Sequence, residues 1–507
     1  MIELLVNGFL GIMSIDTILF IGVGVFIGIV FGAIPGLTAT MAVALFLPVT
    51  YGLSPINGMS LLMGLYLGGI SGGLIPAILL NMPGTPSSIT TAFDGYPMTQ
   101  KGQAGKALGI GIVFSFLGGL IGILVLIFVA PPLAEFSLRF AAFEYFAIAI
   151  FSLTMIAGLS EGSLLKGLIS ASLGITIGMV GMAPIDSAQR FTFGISDLTS
   201  GFALLPALIG FYAVSEVFKS SESRELLDMK DDSEAGKIRN YTMKGFGFTF
   251  KEFVVQIANL FRSSMIGTGI GMLPGLGGTT ANIISYGTAK SQSKNPKEFG
   301  KGSMSGLVAS ESSNNASIGG ALIPLFTLGI PGDTVTAMLL GGLMIHGLQP
   351  GPLLFQNNGE LIYSIFAALF LANIIMIIYQ FSNMKVFVKL LNIPKHILFP
   401  IIITLCVVGA FALNNRVFDV YSLIIFGLMG YALMKLKFPV PPVIMGFILG
   451  PIMEQNLRRG LMMSRGSITP FLTRPISAVF LGLAVLSIII ILYRGRNKSY
   501  GNMGGNR

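Results

Sequence analysis

The chain has 507 residues, of which 53% are hydrophobic and only 10% charged, and its mean hydropathy is +0.81. A soluble globular domain carries about 25% charged residues, so this composition excludes one and describes an integral membrane protein. The net charge of +9 does not point to nucleic acid, because Lys and Arg gather in short loops and at the C-terminus, as cytoplasmic anchoring requires.

Apolar runs of about 20 residues, long enough to cross a bilayer as helices, recur from Ile15 to Arg494. The expected fold is an all-α polytopic membrane protein of about 10–12 transmembrane helices. No Lys or Arg precedes the first apolar run and no small-residue cleavage site follows it, so the first span is expected to act as its own insertion signal.

From Ile15 to Leu37 a span carries glycines at 24, 28, 32 and 36, a four-residue ladder that bares one helix face for close packing. It ends in Ile34-Pro35-Gly36-Leu37. Thr38 to Pro48 is apolar but too short for an ordinary span, which predicts a re-entrant or broken element. Ile56 to Leu80 follows, and after it Asn81-Met82-Pro83-Gly84-Thr85-Pro86-Ser87-Ser88. Prolines flanking Gly-Thr forbid regular helix there, and the hydroxyls supply donors that hold an anion without a fixed charge. Asp94 in Asp94-Gly-Tyr-Pro97 reads as a turn residue.

Further spans are predicted at Leu108 to Pro131, Phe140 to Leu159, Leu164 to Met182 and Phe202 to Phe218. Between 219 and 252 the character changes. Lys or Arg at 219, 224, 230, 237, 239, 244 and 251 alternate with acids at 222, 225, 228, 231, 232, 234 and 252. This aqueous linker divides the chain into a first transmembrane half, 1–218, a charged cytoplasmic linker, 219–256, and a second half, 257–493, with C-terminal spans. A basic cytoplasmic tail, 494–507, completes it.

The second half restarts the pattern. Gly-x-x-Pro-Gly-Leu begins at Gly32 and again at Gly271, a shift of 239, and Pro-Gly recurs at 83 and 331, a shift of 248. Interrupted segments at matching places in two halves are the sequence mark of a transporter's binding site. The expectation is an internal duplication, read as inverted. The run from Ser310 to Asp333 leads from polar residues into an apolar segment with prolines at 324 and 331, and is expected to be irregular at both. Arg458, Arg459, Arg465 and Arg474 mark a loop in the C-terminal region.

With both Pro-Gly blocks in view, the sequence resembles the large membrane permease subunit of the tripartite tricarboxylate transporter family. The residues that carry the resemblance are Pro35-Gly36-Leu37, Ile78-Leu-Leu-Asn81-Met-Pro-Gly-Thr-Pro86, Asp94-Gly-Tyr-Pro97 with Lys101-Gly-Gln-Ala-Gly105, Pro274-Gly-Leu-Gly-Gly278, Glu311-Ser-Ser-Asn-Asn-Ala316, and Gly329-Ile-Pro-Gly332 with Gln349-Pro-Gly-Pro352. The resemblance implies a multi-pass protein of the prokaryotic inner membrane that works with a small four-span membrane subunit and an extracytoplasmic solute-binding protein. It implies import of a carboxylate driven by a Na+ or H+ gradient, with no cofactor. The chain departs from the family pattern at Ser310, where Pro is expected, and at Asp333, where a small residue such as Ser is usual. An extra acid at 333 would repel an anion or serve a cation.

The expected substrate site comprises Asn81, Pro83, Gly84, Thr85, Ser87 and Ser88 from the first half with Asn314, Asn315, Gly332 and Thr334 from the second. Helix N-termini after each Pro-Gly would supply positive potential, hydroxyls and amides the donors. Candidates for ion coupling are Gly36, Thr38, Gly275, Gly278, Thr279, Glu311 and Asp333. An acid inside a membrane is costly and by default functional, although Glu311 could instead cap the aqueous end of a span. Enzyme signatures are weak. Gly-x-Ser-x-Gly at Gly69 and Gly158 follows no strand, and His346, His396 and the single Cys406 make no metal site. Rival readings are a self-sufficient carboxylate symporter and a non-transporting scaffold or channel.

Overall fold

The computed structural model describes residues 2–159, 164–222, 245–390 and 395–503. Most of the charged linker and the Gly158–Gly162 motif therefore lie outside the described residues. The protein is an all-α polytopic membrane protein. Among the described residues, six helices are long and apolar enough to cross a bilayer: Ile15–Ala33, Pro55–Leu80, Ala104–Ser137, Gly359–Leu390, Ile397–Asn414 and Val417–Lys435. Phe250–Gly271, Met304–Leu328 and Val440–Met463, of 22, 25 and 24 residues, have spanning length but are more polar.

The chain folds into two compact units, Met1–Glu135 with Glu216–Leu413, and Phe136–Ser215 with Asn414–Arg507. Each draws on both sides of the linker, so the units do not coincide with the two halves read from the sequence.

In the first unit, helix Ile15–Ala33 packs along Pro55–Gly72 through two interleaved glycine rows. A Cβ on Gly24, Gly28 or Gly32 would stand 2.4, 2.6 and 2.2 Å from the carbonyl oxygens of Leu61, Leu65 and Gly69, and one on Gly64, Gly68 or Gly72 would meet those of Ile21, Val25 and Ile29 at 2.7, 2.4 and 2.5 Å. Only hydrogen fits, so the backbones approach as small residues permit in membrane helices. Phe250–Gly271 packs along Met304–Leu328 in the same manner, with Gly267 and Gly271 against the carbonyls of Ser313 and Ser317 at 2.3 and 2.6 Å, and Gly320 against Thr268 at 2.3 Å.

After each of these first helices the chain turns through glycines of positive φ, Gly36 at 91° and Gly275 at 77°, into a shorter helix. These are Ala39–Thr50, as the sequence predicts for a broken element, and Gly277–Gln292. Met304–Leu328 runs unbroken past Pro324 and ends at Gly329, so the expected irregularity at both prolines is found only at the second. Pro76 is likewise inside Leu74–Leu80. Pro324 removes one intrahelical bond without ending its helix, whereas Pro76 falls in a first turn, where the missing N–H has no intrahelical partner.

The second unit contains Ala142–Leu159, Leu164–Gly178, a two-residue β-ladder pairing Gly181–Met182 with Gln189–Arg190, and the helices Val417–Lys435, Val440–Met463 and Pro475–Met503. Gly174 and Gly446 bring Leu164–Gly178 and Val440–Met463 together, each against a carbonyl of the other helix. Arg458 and Arg459 lie inside Val440–Met463 rather than in a loop. Arg458 Nε donates to Glu454 at 2.9 Å and its Nη1 to Asp186 Oδ2 at 2.9 Å, while Arg190 donates to Glu454 at 2.6 Å. The hydrogen bond from Arg458 holds the Asp186 carboxyl below the usual carboxylate range. Glu144 is buried and pairs with Arg474 at 2.6 Å.

Candidate functional site

All of the expected site residues belong to the first unit. Its two broken hairpins are built alike from the backbone up. Leu74–Leu80 ends at Asn81, which adopts φ 56°, and Met304–Leu328 ends at Gly329 with φ 71°. Such a left-handed residue closes a helix C-terminus and turns the chain. Pro83-Gly84 and Pro331-Gly332 then lead to an extended residue that starts the next helical segment: Thr85, φ −128°, before Pro86–Ser88 and helix Ile89–Gln100, and Asp333, φ −148°, before helix Thr334–Ile345.

Glycine is dictated at both breaks. A Cβ on Gly84 would lie 2.1 Å from the Gly32 carbonyl oxygen and 2.9 Å from Gly73 Cα; on Gly332 it would lie 2.7 Å from the Gly271 carbonyl oxygen and 2.6 Å from Ala321 Cα. Gly84 N donates to Gly73 O at 3.4 Å, and Gly275 N to Gly332 O at 2.8 Å. The breaks are thus seated on the ends of the glycine-packed helix pairs.

The helix starts are capped in parallel ways. Thr85 N donates to Ser88 Oγ at 3.2 Å, and Ser88 Oγ to Thr85 O at 2.8 Å. Thr336 N donates to Asp333 Oδ1 at 2.7 Å, and Asp333 N to Thr336 Oγ1 at 2.8 Å. One cap is neutral and the other carries a carboxylate.

The hairpins meet through direct hydrogen bonds. Asn282 Nδ2 donates to the Ser87 carbonyl, and Ser313 Oγ to Asn282 Oδ1 at 2.8 Å. Ser71 Oγ donates to Asn315 Oδ1 at 2.6 Å, Tyr66 Oη to Asp333 Oδ2 at 2.5 Å, and the Thr40 and Thr334 hydroxyls lie 2.9 Å apart. Glu311 is fully buried within Met304–Leu328 and accepts from Thr91 Oγ1 and from Ser115 Oγ, the latter at 2.6 Å, so it does not cap an aqueous end.

Asn314 stands apart. It is 1% exposed, yet neither its Nδ2 nor its Oδ1 has a hydrogen-bond partner. Its Oδ1 would be 2.8 Å from a Cβ on Gly278, in the first turn of helix Gly277–Gln292, and that same Cβ would be 3.2 Å from Ser87 Cβ and 3.0 Å from Ser317 Oγ. Burying an amide without partners costs a few kcal/mol, so the position is one where a ligand group or water completes the bonding.

Other expected residues have local roles in the structure. Asn81 is exposed and ends its helix, Pro83 is exposed, and Thr38 caps Ala39–Thr50 by accepting from Met41 N at 3.1 Å. Thr279 lies half-buried in the first turn of Gly277–Gln292.

Asp94 is corrected from turn to helix. It is buried inside Ile89–Gln100, where Oδ1 accepts from the backbone N–H groups of Gly300, Gly302 and Ser303 at 2.8, 2.9 and 2.7 Å, and Oδ2 accepts from Tyr286 Oη at 2.9 Å. Sequence reasoning also missed Tyr66, Ser71, Ser115 and Asn282. The available signal was their polarity within apolar, glycine-rich helices, since a polar side chain there needs a partner.

These elements define a multi-pass helical membrane protein whose two broken hairpins enclose buried amides and acids with no Lys, Arg or His among their described hydrogen-bond partners. The chain belongs to the Tripartite tricarboxylate transporter TctA family, matching it over residues 18–445. It is 36% identical to an "Uncharacterized 52.8 kDa protein in TAR-I ttuC' 3'region" of Agrobacterium vitis over 495 residues, 97% of both chains. It is 39% identical to an "Uncharacterized protein in TAR-II ttuC' 3'region" of the same organism over 226 residues, 45% of this chain and 93% of that one. No solved structure matches it.

Proposed function

We propose that the chain is the permease subunit that carries a carboxylate of the tricarboxylate type across the prokaryotic cell membrane by alternating access. It acts in symport with Na+ or H+, beside a four-span membrane subunit and with solute delivered by an extracytoplasmic binding protein. Family membership supports the transport of carboxylates and the tripartite organisation. The observation that carries the site is Asn314, whose buried amide has both a donor and an acceptor free where the hairpins join.

In this reading Asn314 Nδ2, the hydroxyls of Thr85, Ser87, Ser88 and Thr334, and the amide of Asn315 bind the carboxylate, while the helix start at Gly277 and Gly278 supplies positive potential without a buried lysine. Gly84 and Gly332 let the chain break there. Glu311 and Asp333 supply the negative charge that a coupling cation requires, with the backbone at Gly36 and Gly275 and the hydroxyls of Thr38 and Thr279 as further oxygen donors. The like succession of helix, glycine turn, short helix and Pro-Gly hairpin supports an ancestral duplication, which we read as inverted.

The test is uptake by the full tripartite system in vesicles. Asn314→Ala and Glu311→Ala are each expected to lower uptake by at least about 100-fold, the effect of losing a group that meets substrate or ion in a dry site, while membrane insertion stays intact. Wild-type uptake in both variants would remove the proposed site.

A further inference from the structure

We propose that Asp333 is a cation subsite within the solute site and sets its charge preference: its carboxylate pairs with one positive group, an ammonium on the solute or a sodium ion entering with it, so that a bare polyanion is disfavoured. The inference rests on the reading that the two hairpins form the carboxylate site.

The argument starts from the two helix caps. At equivalent places in the two hairpins stand a hydroxyl, Thr85, and a carboxylate, Asp333, in the same extended conformation and each with its backbone N–H donating to the hydroxyl three positions on. Capping alone is met by either side chain, so the charge at 333 is not explained by the turn. Nothing described around Asp333 neutralises it. Oδ1 accepts from Thr336 N and Thr336 Oγ1, and Oδ2 accepts from Tyr66 Oη. None of the ion pairs formed by the described residues includes Asp333. A carboxylate oxygen has two acceptor sites, so Oδ2 keeps one for a cation.

The second observation is Asn314. The start of helix Gly277–Gln292 lies between the two side chains: a Cβ on Gly277 would be 2.9 Å from Asp333 Cβ, and one on Gly278 would be 2.8 Å from Asn314 Oδ1. An anion drawn to the unpartnered Asn314 amide and this helix start therefore sits one residue away from a fixed negative charge. Inside a membrane protein, where the effective dielectric is low, that repulsion is strong, and a positive group between the two relieves it. Asp333 is half-buried whereas Glu311 is fully buried, so of these two acids Asp333 is the more accessible to an incoming cation.

The experiment measures equilibrium binding of citrate, succinate and aspartate to the full chain in lipid nanodiscs, in sodium and in choline buffers. Asp333→Ser and Asp333→Asn keep a capping side chain and remove the charge. If the positive group is sodium, wild type binds citrate at least about tenfold more tightly in sodium than in choline, the effect of one charge pair, and both variants lose that difference. If the group belongs to the solute, wild type prefers aspartate over succinate by a similar factor and the variants lose the preference in either buffer. Variants that keep both ratios within about twofold of wild type overturn the proposal, as does a wild type that binds none of the three. Asn314→Ala separates this inference from the reading beneath it: unchanged binding there sinks the carboxylate site itself, whereas lost binding there with unchanged ratios at 333 sinks only the cation subsite.

Discussion

Asp94 shows how much one buried carboxylate can organise. Three backbone N–H groups and a tyrosine hydroxyl converge on it, and Lys101 Nζ donates to Lys301 O beside it at 2.5 Å. Asp94→Ala leaves those donors without their acceptor and is expected to cost about 1–3 kcal/mol, whereas Asp94→Asn keeps an acceptor oxygen and costs less. Limited proteolysis between 293 and 303 checks this, with faster cleavage in the Ala variant than in the Asn variant. Gly84 is governed by contact rather than charge. Gly84→Ala drives a methyl into the Gly32 carbonyl and is expected to destabilise by about 1–3 kcal/mol or more, while Gly287→Ala, which meets nothing within 4 Å, is neutral or stabilising by up to about 1 kcal/mol. Thermal unfolding in detergent separates the two.

At the scale of elements, the breaks were legible because Pro and Gly constrain the backbone wherever they fall. Gly36, Gly275 and Gly329 all take the left-handed conformation, and both Pro-Gly pairs fall in the break that follows a helix end. Proline alone misled: Pro324 reads as a break, yet the helix passes it because its surroundings are packed. The pairing of polar residues was not legible. Asn314, Asn315 and Glu311 stand out as polar residues in an apolar segment, but that Glu311 takes hydroxyls from Thr91 and Ser115, or that Asn282 rather than Asn81 bridges the hairpins, depends on which helices meet. Sequence separations of 220, 196 and 195 residues leave no periodic trace of such meetings. Asp94 was misjudged for the same reason, since Asp-Gly followed by Pro also fits a turn.

At the scale of the whole molecule, each compact unit takes segments from both sides of the charged linker. Fragments 1–222 and 245–507 therefore each lack part of both units. Expressed singly they are expected to be degraded, and expressed together to restore a folded protein, which co-purification of the two through a tag on one would show. Co-purification failing while either fragment accumulates alone would contradict this division.

A different freedom follows from the seating of the two Pro-Gly breaks. Nothing larger than hydrogen fits at Gly84 or Gly332, while the residue that follows is a hydroxyl in one hairpin and a carboxylate in the other, each starting the next helical segment. The scaffold is rigid to mutation at one position and permissive at its neighbour. A single codon change at that neighbour can therefore alter the charge held at the break while the architecture around it stays untouched.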